Sequence, residues 1–434
     1  MIILVEQITP RIQYAFSIVL RDFEGEVLFT TQENEFSDYA GFKLSYLKRN
    51  APQHAQNAIY ASGILEHTEY SRVKSDQGTW QNMPTLFAQG GGMIPFDIFS
   101  ATFFLLTRYE EYWRFESDAM GRYLPNSSVL YQMDVLDRPI VEEWISAFQK
   151  VLLEKDNTLV FNAPSPKYIS TIDVDSAFAF RHKGSYRTLG GVLKDLSRFD
   201  FKNLQKRLKT IILEAPDPYD TYQYLEEQHR KRKVRSIFFF LLADFGEFDK
   251  GLPHSSKGLR HLITKVSKTN EIGIHPGVAS FKRYNTILKE KSRLESILGK
   301  QIKMSRQHYL MLKFRTTYRL LKSTGIEHDF TMGYAHKTGF RAGTCRPYMW
   351  FDLKKNATSN LMIHPFPAMD VTLKNYEELS IEDAKKKLSY YAEVIHRYNG
   401  EFITLWHNET VTNHESWQGW REVFEHGLDL GARY

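Results

Sequence analysis

The stretch Tyr168–Phe180, YISTIDVDSAFAF, ends an apolar, β-branched run with two carboxylates, Asp173 and Asp175. The run reads as a buried strand. Strand side chains alternate with a period of two, so the Asp-x-Asp pair shares one face. The fold and the chemistry both depend on what else the chain brings beside that pair.

Beyond Lys167, short apolar runs alternate with amphipathic segments. Strands are expected in YISTIDV, VRSIFFFLLAD, NEIGIHP, KMSRQHYL, GIEHDFT, LMIHPF and EFITLW. Helices are expected over 220–230, 259–268, 286–298, 313–323 and 381–398. This alternation predicts an α/β fold with a parallel sheet, open or closed into a barrel. In such folds functional groups collect at the C-terminal ends of the strands. Those ends carry Asp173 with Asp175, Asp244, His275, Arg306 with His308, Asp329, His364 and His407.

Each of these has an ordinary explanation when taken singly. An Asp after a strand caps a helix or a turn, and a lone His more often packs than ligates. Converging on one mouth, they suit hydrolysis. Asp and neutral imidazole bind a divalent metal such as zinc, which polarises a carbonyl and lowers the pKa of a bound water. A second carboxylate can take the proton from that water. A His from another strand can protonate the leaving group, and an Arg can fix the base or bind the oxyanion.

Residues 1–165 read as a separate N-terminal α+β domain of unassigned role. Strand-like pieces such as EVLFTT (26–31) mix there with helices over 96–115 and 139–155, and NAPSPK (162–167) reads as a linker before a second domain over 166–434. A chain of 434 residues with 42% hydrophobic and 14% aromatic residues has ample material for a core, which argues against disorder. The single cysteine, Cys345, rules out an intramolecular disulfide. No apolar run approaches the ~20 residues of a membrane-crossing helix. The opening MIILVEQITPRIQ lacks the pattern of a secretion signal, so a cytoplasmic location is expected.

The net charge of +6 is local. Between Arg181 and Arg235 there are 14 Lys/Arg against 7 Asp/Glu, a net of +7, which leaves −1 for the rest. This segment, with its RKRKVR cluster (230–235), reads as a basic helical insertion after the first strand. It suits a solvated helix face, or attraction of an anionic partner or membrane phosphate. No zinc-finger spacing or RNA-binding aromatic signature accompanies it, so no specific nucleic-acid partner is expected.

From Lys167 to about Asn413 the chain resembles the NodB-type polysaccharide deacetylases, carbohydrate esterases built on an incomplete (β/α) barrel. STIDVD resembles their first motif, implying Asp173 as the base and Asp175 as a metal ligand. NEIGIHPGVAS resembles the second, implying His275 as a ligand. SRQHYL stands where the family carries an Arg that holds the catalytic Asp, implying that role for Arg306; GFRAGT makes Arg341 a competitor. GIEHDFTMGY implies a supporting role in catalysis for Asp329. TLWHNE resembles the last motif, implying His407 as the general acid. The resemblance therefore implies removal of acetyl from an N- or O-acetylated sugar, with a carbohydrate substrate that is neutral, anionic or phosphate-linked.

One departure bears on the metal. Four residues after His275, where the family has a second His, this chain has Ala279. His308, two residues beyond Arg306, can replace it if the strand continues that far; His254 and His364 are further candidates. Two other readings stand beside the deacetylase: a metal-independent C–N hydrolase on the same fold, and a degenerate barrel that binds carbohydrate or a partner without catalysis.

Overall fold

The run that begins at Lys167 forms β1 (Lys167–Val174), and every residue from Tyr168 onward is buried. A strand buried on both faces belongs in the middle of a parallel sheet, and that is its place. With β2 (Arg235–Phe240), β3 (Glu271–Ile274), β4 (Met304–Ser305), β5 (His328–Asp329), β6 (Ala368–Met369) and β7 (Glu401–His407) it lies in the order β5-β4-β3-β2-β1-β7-β6. All six ladders are parallel. The structure, a computed structural model, describes residues 1–49, 57–113 and 115–433.

Two compact units divide the chain. One comprises Lys167–Thr338, Phe366–Glu393 and Glu401–Tyr434, and contains this sheet. Its apolar centre includes Ile169, Ile237, Phe239, Phe330, Phe366, Met369 and Leu405. Phe330 follows β5 and Met369 lies in β6, so segments on both sides of β1 in the strand order supply one cluster. Packing is close enough that a Cβ on Gly273 of β3 would stand 2.4 Å from the Phe239 ring. The basic segment after β1 is helical: α1 (Ser185–Ser197), α2 (Phe201–Ile212) and α3 (Tyr222–Arg232). The RKRKVR cluster is partly spent on ion pairs, Arg232 with Asp429 and Arg235 with Glu271.

The other unit comprises Met1–Pro166, Gly339–Pro365 and Val394–Gly400. Its strands Leu28–Thr30, Ile2–Val5, Lys43–Leu47 and Ala58–Tyr60 form a parallel sheet in that order. Helices Pro10–Val19 and Glu33–Asp38 alternate with its first three strands. This is an α/β arrangement, not the α+β one expected. The reason lies in IILV (2–5), a continuous buried run, the mark of a parallel strand covered on both faces. LMIHPF is also reassigned. Ala357–Ile363 pairs antiparallel with Tyr348–Asp352 and falls in this unit.

The helix expected over 96–115 is shorter, Ile98–Leu106, and its residue Arg114 lies outside the described residues. It ends before Arg108, which takes a left-handed conformation (φ 51°). There the buried Arg108 guanidinium reaches Glu110 at 2.6 Å and Glu111 at 2.8 Å. Arg341 binds the same Glu111 at 2.6 Å. The competitor to Arg306 is thus committed to a buried network in this unit. Burial alone would raise the pKa of Glu111, but the charges of Arg341 and Arg108 hold it below the usual carboxylate range.

Breaking a buried pair strands charge in a poorly solvating interior. Glu111→Ala is expected to lower unfolding free energy by about 3–5 kcal/mol, read from urea denaturation. A change within ~0.5 kcal/mol, the range of ordinary surface substitutions, would show that water relieves the guanidinium groups.

Candidate metal and catalytic site

The C-terminal ends of β1, β3, β4 and β7 bring the site together. Asp173, the penultimate residue of β1, is 2% exposed. It accepts a hydrogen bond from Arg306 Nη1 at 2.9 Å. Arg306 is fully buried and also donates to Thr171 Oγ1 at 2.8 Å and to the Phe330 carbonyl at 2.9 Å. Its guanidinium lies over the rings of Phe239 and Phe366, with centroids at 4.7 and 5.3 Å. Asp175 follows β1 and shares the face of Asp173.

Three imidazoles surround Asp175. His275, just past β3, directs Nε2 to Asp175 Oδ1 at 3.2 Å and to Asp173 Oδ2 at 3.8 Å. His308 directs Nε2 to Asp175 Oδ2 at 3.3 Å. His407 closes β7 in register with Asp173, and its Nε2 is 3.9 Å from Asp175 Oδ2. His407 is therefore a neighbour of Asp173 on the adjoining strand, not a residue facing it across the mouth, because the last long strand pairs directly with the first. Ligand atoms of Asp175, His275 and His308 all lie within 4.8 Å of one another.

Each ring is pinned through Nδ1. His275 Nδ1 lies 2.6 Å from the Arg306 carbonyl oxygen. His308 Nδ1 is 2.9 Å from Asp249 Oδ1, and His407 Nδ1 is 2.9 Å from Asp370 Oδ1. A carbonyl or carboxylate oxygen only accepts, so Nδ1 carries the proton in all three. A neutral ring then presents a bare Nε2, the form that binds metal.

This arrangement tests whether a cation fits. Asp175 Oδ1 is buried and has no hydrogen-bond partner among the described residues. Bare nitrogens facing a carboxylate repel unless a proton or a metal ion lies between them. Without metal, burial opposes charging His308, yet the Asp175 and Asp249 carboxylates raise its pKa to about 9. Burial would raise the pKa of Asp175, but the charge of His308 holds it well below the usual range. The 3.2–3.3 Å nitrogen–oxygen separations resemble the ~3.4 Å between neighbouring ligands around a tetrahedral zinc. The residues fit a divalent ion.

His407 differs from the other two. Asp370 accepts from both its ring and its backbone N–H, the latter at 2.8 Å, and also from Thr410 Oγ1. Burial would lower its pKa, but the Asp370 charge raises it well above the usual imidazole value. Its Nε2 points toward Asp175 Oδ2.

Several expected residues stand elsewhere. Asp329 is buried in β5 and accepts from Ser305 Oγ and Thr331 Oγ1, both at 2.8 Å, and from the Thr331 N–H. It braces the strand before Arg306 and none of these bonds reaches Asp175 or the imidazoles. Asp244 is exposed and paired with Lys289 and Arg293, and His254 is also exposed. His308 does not lie on a strand beside Arg306: β4 ends at Ser305 and His308 begins a tight turn in which Tyr309 has a φ of 56°. Asp249 and Asp370 had gone unrecognised. Asp370 follows a two-residue strand and Asp249 lies in a loop, so neither has a periodicity to announce it.

A family model described as a family of unknown function, DUF7033, matches residues 1–157. No curated protein matches the chain. Among solved structures, the chain is similar to a protein from Mycobacterium smegmatis assigned as a polysaccharide deacetylase. Identity is 13% over 61% of this chain and 85% of that chain, with a TM-score of 0.39. A polysaccharide deacetylase of Bacillus cereus shows 10% identity over 61% and 87%, with a TM-score of 0.30. A branching enzyme of Thermococcus kodakaraensis shows 9% over 62% and 68%, with a TM-score of 0.36. At these TM-scores the chemistry has to be argued from this chain's own residues.

Titration of the metal-free protein with zinc should give one site per chain. His308→Ala should abolish tight binding by removing one of three ligands. Asp249→Asn, which leaves the ligands in place, should weaken it by about 10–100-fold. Unchanged affinity in both variants would place the ion elsewhere.

Proposed function

We propose that the unit built on β1 is a metal-dependent hydrolase that removes acetyl from an N- or O-acetylated sugar, on an incomplete (β/α) barrel of the NodB type. The observation that carries this reading is the position of Asp173: buried, held by Arg306, and in register with His407 on one side of the Asp175–His275–His308 cluster. The acetylated sugar comes from the ordered motif resemblance. Two imidazoles and a carboxylate suit zinc and leave an open position, as catalytic zinc sites require.

A divalent ion held by Asp175, His275 and His308 supplies polarisation of the acyl carbonyl and a more acidic water. The remaining chemistry belongs to the chain. Arg306 binds Asp173 Oδ1, which turns Oδ2 toward the cluster to accept the proton from the attacking water. The water oxygen adds to the acyl carbon. His407 Nε2 then gives its proton to the departing nitrogen or oxygen as the acyl bond breaks, with Asp370 stabilising the imidazolium until that moment. Acetate and the free amine or alcohol leave, and a proton passes from Asp173 back to His407 through solvent to restore the start.

Acetate release from an acetylated chito-oligosaccharide or an O-acetylated sugar, by zinc-loaded protein, tests the reading. Asp173→Asn should abolish turnover with zinc stoichiometry unchanged, since an amide cannot take the proton. His407→Ala should lower kcat by ~10²–10⁴-fold. Turnover that survives both substitutions would sink this assignment of base and acid.

A further inference from the structure

The helical hairpin α1–α2 is built inside out. A water-exposed hairpin ordinarily hides its apolar stripes between the helices and turns its charges outward. Here the residues the hairpin buries are polar: Asp195 in α1, and Arg207 and Thr210 in α2. Arg207 Nε donates to Asp195 Oδ2 at 2.7 Å, and Asn203 donates to the other Asp195 oxygen at 2.8 Å. Gly191 admits this pair, because a Cβ there would meet Arg207 Nη1 at 2.4 Å.

The apolar residues face water instead. Tyr186, Leu189, Leu193 and Leu196 recur at helical spacing along α1, and all are exposed. At the turn Phe199 is 78% exposed, and at the end of α2 Ile212 and Leu213 are 67% and 70% exposed. A shallow groove of about 350 Å³ runs along α2 beside Phe201, Leu204, Leu208 and Ile212. At the hairpin's base Arg187 stacks on Phe245 at 4.4 Å, and Phe245 is exposed as well.

The charge decides the partner. From Ser185 to Leu213 there are seven Lys/Arg and two Asp, a net of +5. Asp195 is consumed by Arg207, and Asp200 caps α2 through the Asn203 N–H at 3.0 Å. Lys194, Arg198, Lys202 and Lys209 are exposed among the apolar residues. An exposed apolar face flanked by Lys and Arg is the pattern of a helix lying in a membrane interface. A second copy would bring +5 against +5, which disfavours self-association through this face.

We propose that the α1–α2 hairpin docks the protein on the surface of an anionic lipid bilayer, with Leu193, Phe199 and Ile212 entering the interface and the lysines meeting lipid phosphate. No membrane-crossing segment is involved. The hairpin leaves the sheet just after Asp175, so docking holds the candidate site close to the lipid surface. The docking does not depend on the hydrolase reading, because it is measured without substrate.

The test is co-sedimentation of the full chain with vesicles. Phosphatidylcholine vesicles carrying about one third phosphatidylglycerol should retain the protein at least about tenfold better than phosphatidylcholine alone, and added salt should weaken retention. The triple variant Leu193→Ser, Phe199→Ser, Ile212→Ser should lose retention by about tenfold or more, with circular dichroism and zinc stoichiometry unchanged. The variant Lys194→Ala, Lys202→Ala, Lys209→Ala should lose the preference for phosphatidylglycerol. Equal binding to both vesicles by the wild type, or undiminished retention of the triple Ser variant, would overturn the proposal. So would a wild-type dimer that the Ser variant makes monomeric and that binds no vesicle; that outcome assigns the face to a second copy.

Discussion

The site depends on one buried contact, Arg306 with Asp173. A guanidinium cannot shed its proton in a protein, so a fully buried Arg must be met by acceptors. Asp173, Thr171 and the Phe330 carbonyl meet it, and the rings of Phe239 and Phe366 cover its faces. These partners come from β1, β2 and the segments after β5 and before β6. Their spacing fixes how the strand ends stand around Asp173. The same residue offers its backbone carbonyl to His275 Nδ1, and the chain then turns to place His308. Removing Arg306 would unsettle Asp173, the His275 ring and the turn that places His308.

In the proposed mechanism the three imidazoles divide between two roles. All are pinned at Nδ1, and all send Nε2 toward Asp175. What differs is how close they come and what holds them. His275 and His308 stand within 3.3 Å of an Asp175 oxygen, close enough to share an ion with it. His407 stands at 3.9 Å and is backed by Asp370, which accepts from its ring and its backbone together. A carboxylate behind an imidazole favours the imidazolium, and with no ion within reach that proton stays available for transfer. In the proposed mechanism, distance from Asp175 and the carboxylate behind the ring separate ligand from acid.

The legible part of the fold was the part with a period. Asp173 and Asp175 could be read as sharing a face because strand side chains alternate, and His275 and His407 could be placed because the strand-like stretches NEIGI and EFITLW precede them. The α/β alternation after Lys167 was visible for the same reason. What escaped were groups set by tertiary contact. Asp370 follows a strand of two residues, while the more strand-like LMIHPF belongs to an antiparallel pair in the other unit. A strand that short gives no pattern to read, which hid the hydrogen-bond partner of His407. The other unit's claim on Gly339–Pro365 and Val394–Gly400 leaves no local mark, since it joins segments hundreds of residues apart. Its parallel sheet was foreshadowed only by the uninterrupted run IILV, too short to tell from any other buried segment.

Ala279 is the departure that bears most on the proposed metal site. The loop after His275 does not present a side chain to the cluster. It wraps a carboxylate instead: the Val278 and Ala279 N–H groups donate to Asp249 at 2.9 and 3.3 Å, and a Cβ on Gly277 would collide with that carboxylate at 2.7 Å. Asp249 is thereby fixed where it can hold His308 Nδ1. Glu290 accepts from the Gly277 N–H behind it, and burial, with the charge of Asp249 adding to it, raises the pKa of Glu290 to about 7. The loop has exchanged a ligand for a support, and the ligand arrives from the end of β4. On the proposed reading, three protein ligands and an open position remain, the composition catalytic zinc needs.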